Sequence, residues 1–192
     1  LTDAEPLAGP ALIYEAAPDA VAVAAARDLL AEAERPLILL GGTNWTGAGR
    51  AALKTFAETS RIPVVAAFRY QDQFDNHSPV FAGEAGVGMP LHVKALLRDA
   101  DVLLAINVRF GEMTTDGYTI LTVPVPVQKV IHVHASDREI GKIYVPSLGI
   151  QAGPNAFVNA LTPVEGKWSA WTSKARDLYE ATFAAPAQPS PV

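Results

Sequence analysis

The stretch DVLLAINV, Asp101 to Val108, decides the fold. It is apolar on both faces and eight residues long, which suits a strand buried inside a parallel sheet better than one at an edge. Reading outward, Leu91 to Arg98 has helical spacing, and IPVVAAF (Ile62 to Phe68) is a second apolar strand. Arg50 to Ser60 is helical through Leu53, Phe56 and Ala57, and PLILL (Pro36 to Leu40) is another strand, closed by Gly41 and Gly42. Asp19 to Glu34 is rich in Ala, Val and Leu and reads as a packed helix that Pro36 ends. On the other side, QKVIHVHA (Gln128 to Ala135) and SLGIQA (Ser147 to Ala152) are strands, and Asn155 to Leu161 and Lys167 to Phe183 are helices. Strands alternating with helices predict an α/β, doubly wound parallel sheet with helices on both faces. Ligands in such sheets bind beyond the carboxyl ends of the strands, at the switch point.

The chain has 192 residues, 49% of them hydrophobic and 18% charged, enough to fill one core. A net charge of -5 argues against a sequence-independent grip on nucleic acid. Cysteine is absent, which removes disulfides, thiolate nucleophiles and cysteine zinc sites and fits a reducing cytoplasm. No run approaches the roughly 20 apolar residues of a membrane span, and no signal pattern opens the chain. Residues 1–16 and 183–192 are rich in Pro and Ala and read as linkers flanking a domain of residues 17–182. The chain is therefore expected to be a piece of a longer protein.

Several positions could carry chemistry. The loop GGTNWTGAG (Gly41 to Gly49) follows a strand and opens a helix, so its backbone N–H groups could approach a phosphate. Gly47, Gly49 and Ala52 even have a G-x-G-x-x-A spacing, though not on the tight turn that the dinucleotide fingerprint needs. The alternative is a connecting loop in which Thr43, Asn44 or Thr46 caps the helix. Arg109 stands where DVLLAINV ends and could hold a pyrophosphate, or could pair with Glu112 or Asp116. His132 and His134 share one face of their strand; without a third ligand at suitable spacing, the reading is imidazoles satisfied at a strand rim rather than a metal site. No serine sits on a nucleophile elbow and no carboxylates pair, so no catalytic residue is expected.

Four stretches together resemble the central domain of thiamine-diphosphate-dependent enzymes of the acetolactate synthase branch. They are ERPLILLGG (Glu34 to Gly42), SRIPVVAAF (Ser60 to Phe68), DADVLLAINVRFGE (Asp99 to Glu112) and VIHVHASDREIGK (Val130 to Lys142). The resemblance implies a Rossmann-like sheet of about six parallel strands, of the DHS-like NAD/FAD-binding type. It implies a longer parent enzyme, homo-oligomeric, that carboligates or decarboxylates 2-oxo acids such as pyruvate. Thiamine diphosphate and Mg would be bound by the parent's other domains, the partners of this one, so the chain alone would be inactive. It also implies a site for FAD or ADP, with Gly41, Gly42 and Thr43 as the glycine loop, Phe68 at the second strand end, Asn107 and Arg109 at the third, and His134 on the next strand. Several features depart from the pattern: Asn107 stands for a glycine, His134 and Ser136 stand for aspartates, and RYQDQFD (Arg69 to Asp75) replaces a small glycine-containing turn after the second strand. These departures imply weakened or lost flavin affinity. The other readings are a stand-alone module for FAD, ADP or NAD, and a structural domain with an empty crevice.

Overall fold

The computed structural model describes residues 14–184; most of both expected linkers lies outside them. The described chain forms a six-stranded, wholly parallel sheet in the order β3-β2-β1-β4-β5-β6. Its strands are β1 (Pro36–Leu40), β2 (Val64–Ala67), β3 (Phe81–Ala85), β4 (Val102–Ile106), β5 (Lys129–His134) and β6 (Leu148–Gln151). The direction of winding reverses between β1 and β4, which pair from Pro36 opposite Val102 to Leu40 opposite Ile106. This is the doubly wound, Rossmann-like sheet that the alternation predicts.

The two central strands are buried at every residue, as the apolar runs require. Alternate side chains feed two cores. Ile38, Leu40, Leu104 and Ile106 point to one face, and Leu37, Leu39, Leu103 and Ala105 to the other. Burying each such leucine or isoleucine stabilises the fold by about 1.5–3 kcal/mol. The first face packs under α1 (Ala20–Ala31), α2 (Gly47–Ser60) and α4 (Pro154–Ala160). The second packs under α3 (Leu91–Asp99) and the long β4–β5 connection, from which Phe110, Ile120 and Leu121 enter the core. No helix bridges that connection; the ion pair of Lys94 with Asp116 (2.6 Å) ties it to α3 instead.

Element boundaries shift where side chains capture backbone. Asp19 caps α1 by accepting the Val21 and Ala22 N–H groups. The helix ends at Ala31, short of the expected Glu34, because the Asp101 carboxylate accepts the Glu34 and Arg35 N–H groups at 2.7 and 2.9 Å and turns the chain into β1. The final helix, α5 (Ser169–Ala181), is shorter than Lys167 to Phe183. It is pinned by Trp168 Nε1 on Ser60 O at the end of α2, Trp171 Nε1 on Pro36 O of β1, and Arg176 on the Asn76 and Ser78 carbonyls of the β2–β3 connection.

Strand β3 is the element that the residue pattern does not announce. FAGEA contains Gly83 and the half-buried Glu84, both poor strand signals. Pairing with β2 makes it a strand, with a register shift between Val64 and Ala66. Gly83 has φ +120°, and a Cβ there would meet Val93 of α3 at 2.9 Å, so only glycine lets α3 lie this close.

Candidate functional site

At the reversal point the ends of β1 and β4 face one another. The ladder continues past both strands, with Gly41 N donating to Ile106 O (3.0 Å) and Asn107 N to Val133 O (2.7 Å). Both segments then turn through left-handed residues, Gly42 at φ 70° and Asn107 at φ 58°. Asn107 Nδ2 donates to Thr43 O at 2.8 Å and locks the two turns together. Trp45 folds back beneath, its Nε1 donating to Gly41 O at 2.9 Å.

Above these turns opens a cavity of about 580 Å³ at the carboxyl ends of β1, β2, β4 and β5. That size is in the range of small-molecule sites. Gly42, Thr43, Phe68, Asn107, Arg109 and His134 all line it. Gly41 does not: it lies below the floor, where a Cβ would press on Ala67 and Val108 at 3.2 Å. Its part is to let three strand ends converge.

Arg109 is exposed and makes no ion pair among the described residues. Pairing with Asp116 is replaced by the Lys94 bridge, which leaves the guanidinium open to the cavity. Val108, just before it, is held by His132, whose Nε2 donates to Val108 O at 2.9 Å. That ring is buried against Phe110, with centroids 5.0 Å apart. His134 Nδ1 accepts the Ser136 N–H at 3.0 Å, so the neutral ring carries its proton on Nε2. Burial pushes both imidazoles below the usual histidine range, and the Arg109 charge adds to the effect at His134. His134 is thus a neutral rim group, whereas His132 departs from the expected rim position: it is buried beneath the rim, with Nε2 on Val108 O and Nδ1 without a partner among the described residues. Among the described residues no cluster of three or more His, Asp or Glu could hold a metal.

The second half of the glycine loop follows the connecting-loop reading, with Thr46 as the cap. The N-terminus of α2 does not face the cavity. Thr46 caps it by accepting Gly49 N at 2.9 Å, and Asn155 Oδ1 accepts both Thr46 N (2.8 Å) and Thr46 Oγ1 (2.9 Å). Gly49 is glycine because Asn155 occupies the space of a Cβ, so the Gly47, Gly49, Ala52 spacing serves helix packing rather than phosphate. Glu15, at the edge of the expected N-terminal linker, belongs to the same network: it accepts from Asn155 Nδ2 and from Ala156 N at the start of α4.

Tyr70, Glu112, Met113, Thr114 and Ser136 also line the cavity. Ser136 is already marked in the sequence as standing for a site aspartate, and Glu112 as a candidate partner of Arg109. Nothing in the spacing marks Tyr70, Met113 and Thr114, which are found only by asking which residues follow a strand end. Thr114 Oγ1 lies 3.4 Å from Phe68 N and joins the β4–β5 connection to the β2 end.

A doubly wound parallel sheet with a crevice at its switch point is a Rossmann-like architecture, in which ligands bind beyond the carboxyl ends of the strands. The sequence comparisons narrow this. Residues 23–161 match the family described as thiamine pyrophosphate enzyme, central domain, and the chain belongs to that family. It is 26% identical over 171 residues to the acetolactate synthase large subunit of Parasynechococcus marenigrum (strain WH8102), covering 84% of this chain and 27% of that protein. It is 26% identical over 156 residues to the glyoxylate carboligase of Escherichia coli O157:H7, covering 81% and 26%. Over 126 residues it is 32% identical to the sulfoacetaldehyde acetyltransferase of Castellaniella defragrans, covering 66% and 21%. The chain therefore spans about a quarter of the length of these relatives. No described helix is long and apolar enough to cross a membrane.

Proposed function

We propose that this chain is the nucleotide-holding scaffold of a thiamine-diphosphate- and Mg-dependent enzyme that carboligates or decarboxylates small 2-oxo acids. Family membership supports the thiamine diphosphate dependence, and the relatives' activities as acetolactate synthase and glyoxylate carboligase support the substrate class. The domain contributes binding and subunit packing in a homo-oligomer of the cytoplasm, without catalysis of its own. Thiamine diphosphate and Mg are held by other domains of the parent, and the carbanion chemistry is the cofactor's.

The observation that carries the local role is Arg109, an unpaired guanidinium at the β4 end beside a cavity of about 580 Å³. These residues fit the diphosphate of an adenine nucleotide. Arg109 can fork onto its oxygens, Thr43 and Asn44 give hydroxyl and amide groups across the reversal point, and Phe68 and Tyr70 give a flat apolar wall. The fit is poorer for FAD, because Asn107 fills the floor above Gly42.

The test is an assay of the full-length protein that carries this chain, supplied with thiamine diphosphate, Mg²⁺ and pyruvate or glyoxylate. Cofactor-dependent consumption of either acid is expected. Inactivity toward both in a folded, thiamine-diphosphate-loaded protein would overturn the substrate assignment.

A further inference from the structure

The cavity wall at the end of β5 has a chemistry of its own. His134 turns a donor, Nε2–H, away from its backbone bond, and Ser136 adds a hydroxyl; both line the cavity with Arg109. At the β2 end the lining residues are Ala67, Phe68 and Tyr70, while Arg69 lies with its guanidinium 4.9 Å over the Phe68 ring. Glu112 is the one carboxylate residue among those lining the cavity, and it sits on the β4–β5 connection rather than at a strand end. A ribose diol is typically held by a carboxylate at a strand end, whereas a ribose phosphate needs cations and donors in its place. Here a cation and donors stand at the ends of β4 and β5, and the carboxylate near the end of β3, Glu84, lies outside the cavity lining and accepts Arg69 N at 2.8 Å.

We propose that the cavity selects an adenosine diphosphate bearing a further phosphate monoester on its ribose, with Arg109 on the diphosphate and His134 and Ser136 donating to the added phosphate. The inference rests on reading the cavity as a nucleotide site. The groups acting on His134 are the Ser136 N–H, Glu139 and Arg109, with the His132 ring 6.2 Å away; Glu112 is the further charge in the wall. A dianionic phosphate against His134 favours the imidazolium, so binding takes up a proton. Affinity for the phosphorylated ligand then falls as pH rises through the pKa of His134 in the complex, while affinity for the unphosphorylated one changes less.

Two matched pairs isolate the phosphate: NADP⁺ against NAD⁺ for the 2′ position, and coenzyme A against 3′-dephospho-coenzyme A for the 3′ position. Each is titrated calorimetrically at pH 6 and pH 8, beside ADP. In at least one pair the phosphorylated member should bind about tenfold tighter, the value of one charge-assisted contact, and the margin should be larger at pH 6. His134→Asp should abolish or invert that preference while ADP still binds. Ser136→Asp, at a half-buried position, places a carboxylate on the same wall with the histidine retained and should do likewise. Equal affinities within both pairs, or a preference that survives both variants, would overturn the inference and leave the nucleotide reading standing. No heat with ADP or any of the four would remove both.

Discussion

The Asn107 side chain occupies the space that a Cβ on Gly42 would need, and its amide donates to Thr43 O at 2.8 Å. Two strands on opposite sides of the reversal point are thereby locked at their carboxyl ends, both through left-handed backbone. Gly42→Ala must adopt φ near +70° and displace Asn107, at an expected cost of about 2–4 kcal/mol. Asn107→Gly loses one hydrogen bond but relaxes a non-glycine residue from φ 58°, so its net effect should stay within about 1 kcal/mol. Thermal denaturation of the two variants separates these outcomes; equal losses would mean that the contact is not what holds the turns.

Arg109 can be removed without touching the fold. It is exposed and has no ionic partner among the described residues, so Arg109→Ala should leave the melting temperature unchanged. Nucleotide affinity should fall by about 1.5–3 kcal/mol, roughly ten- to a hundredfold in Kd. Unchanged affinity measured by calorimetry would take Arg109 out of the site.

Asn155 sits at the junction of three segments, accepting from Thr46 N and Thr46 Oγ1 and donating to Asn44 O and Glu15. Asn155→Ala leaves these half-buried groups short of partners and should cost about 2–4 kcal/mol. Gly49→Ala drives a methyl group into Asn155 and should cost a similar amount. Because both break one contact, the double variant should lose much less than the sum. Additive losses in urea denaturation would show the two residues to be independent.

His132 and His134 have pKa values depressed by burial in the folded chain, so the unfolded chain binds protons first as pH falls. Stability is therefore full above about pH 6.5 and declines below it, toward the depressed folded values, by at most about 1.4 kcal/mol per pH unit for each histidine. His132→Gln keeps a donor near Val108 O and removes one of the two titrations. The slope of unfolding free energy between about pH 6 and 5 should be shallower in that variant. An unchanged slope would assign the acid sensitivity elsewhere.

The central strands were legible because burial on both faces leaves an unmistakable mark: Pro36–Leu40 has the bounds expected, and Asp101 to Val108 trims only to Val102–Ile106. The edge strand Phe81–Ala85 was not legible, since its Gly83 and Glu84 answer to α3 and to pairing with β2 rather than to strand propensity. At the site, Gly42, Asn107, Arg109 and His134 could be placed because each ends or follows a recognisable strand. Whether Gly49 admits a phosphate or only serves a connecting loop stayed open in the sequence for a different reason. Its neighbour is Asn155, more than a hundred residues away, and local spacing cannot distinguish a glycine that admits a phosphate from one that admits another side chain. The capture of Glu34 and Arg35 by Asp101 is hidden in the same way.

The central claim is that the cavity at the β1–β4 reversal is a nucleotide diphosphate site, and calorimetric titration of the chain with ADP tests it most directly. The account predicts one-site binding in the micromolar range that weakens at least about tenfold in Arg109→Ala. Absence of heat from a protein that still melts cooperatively would contradict it, and the crevice would then be an empty feature of a structural domain.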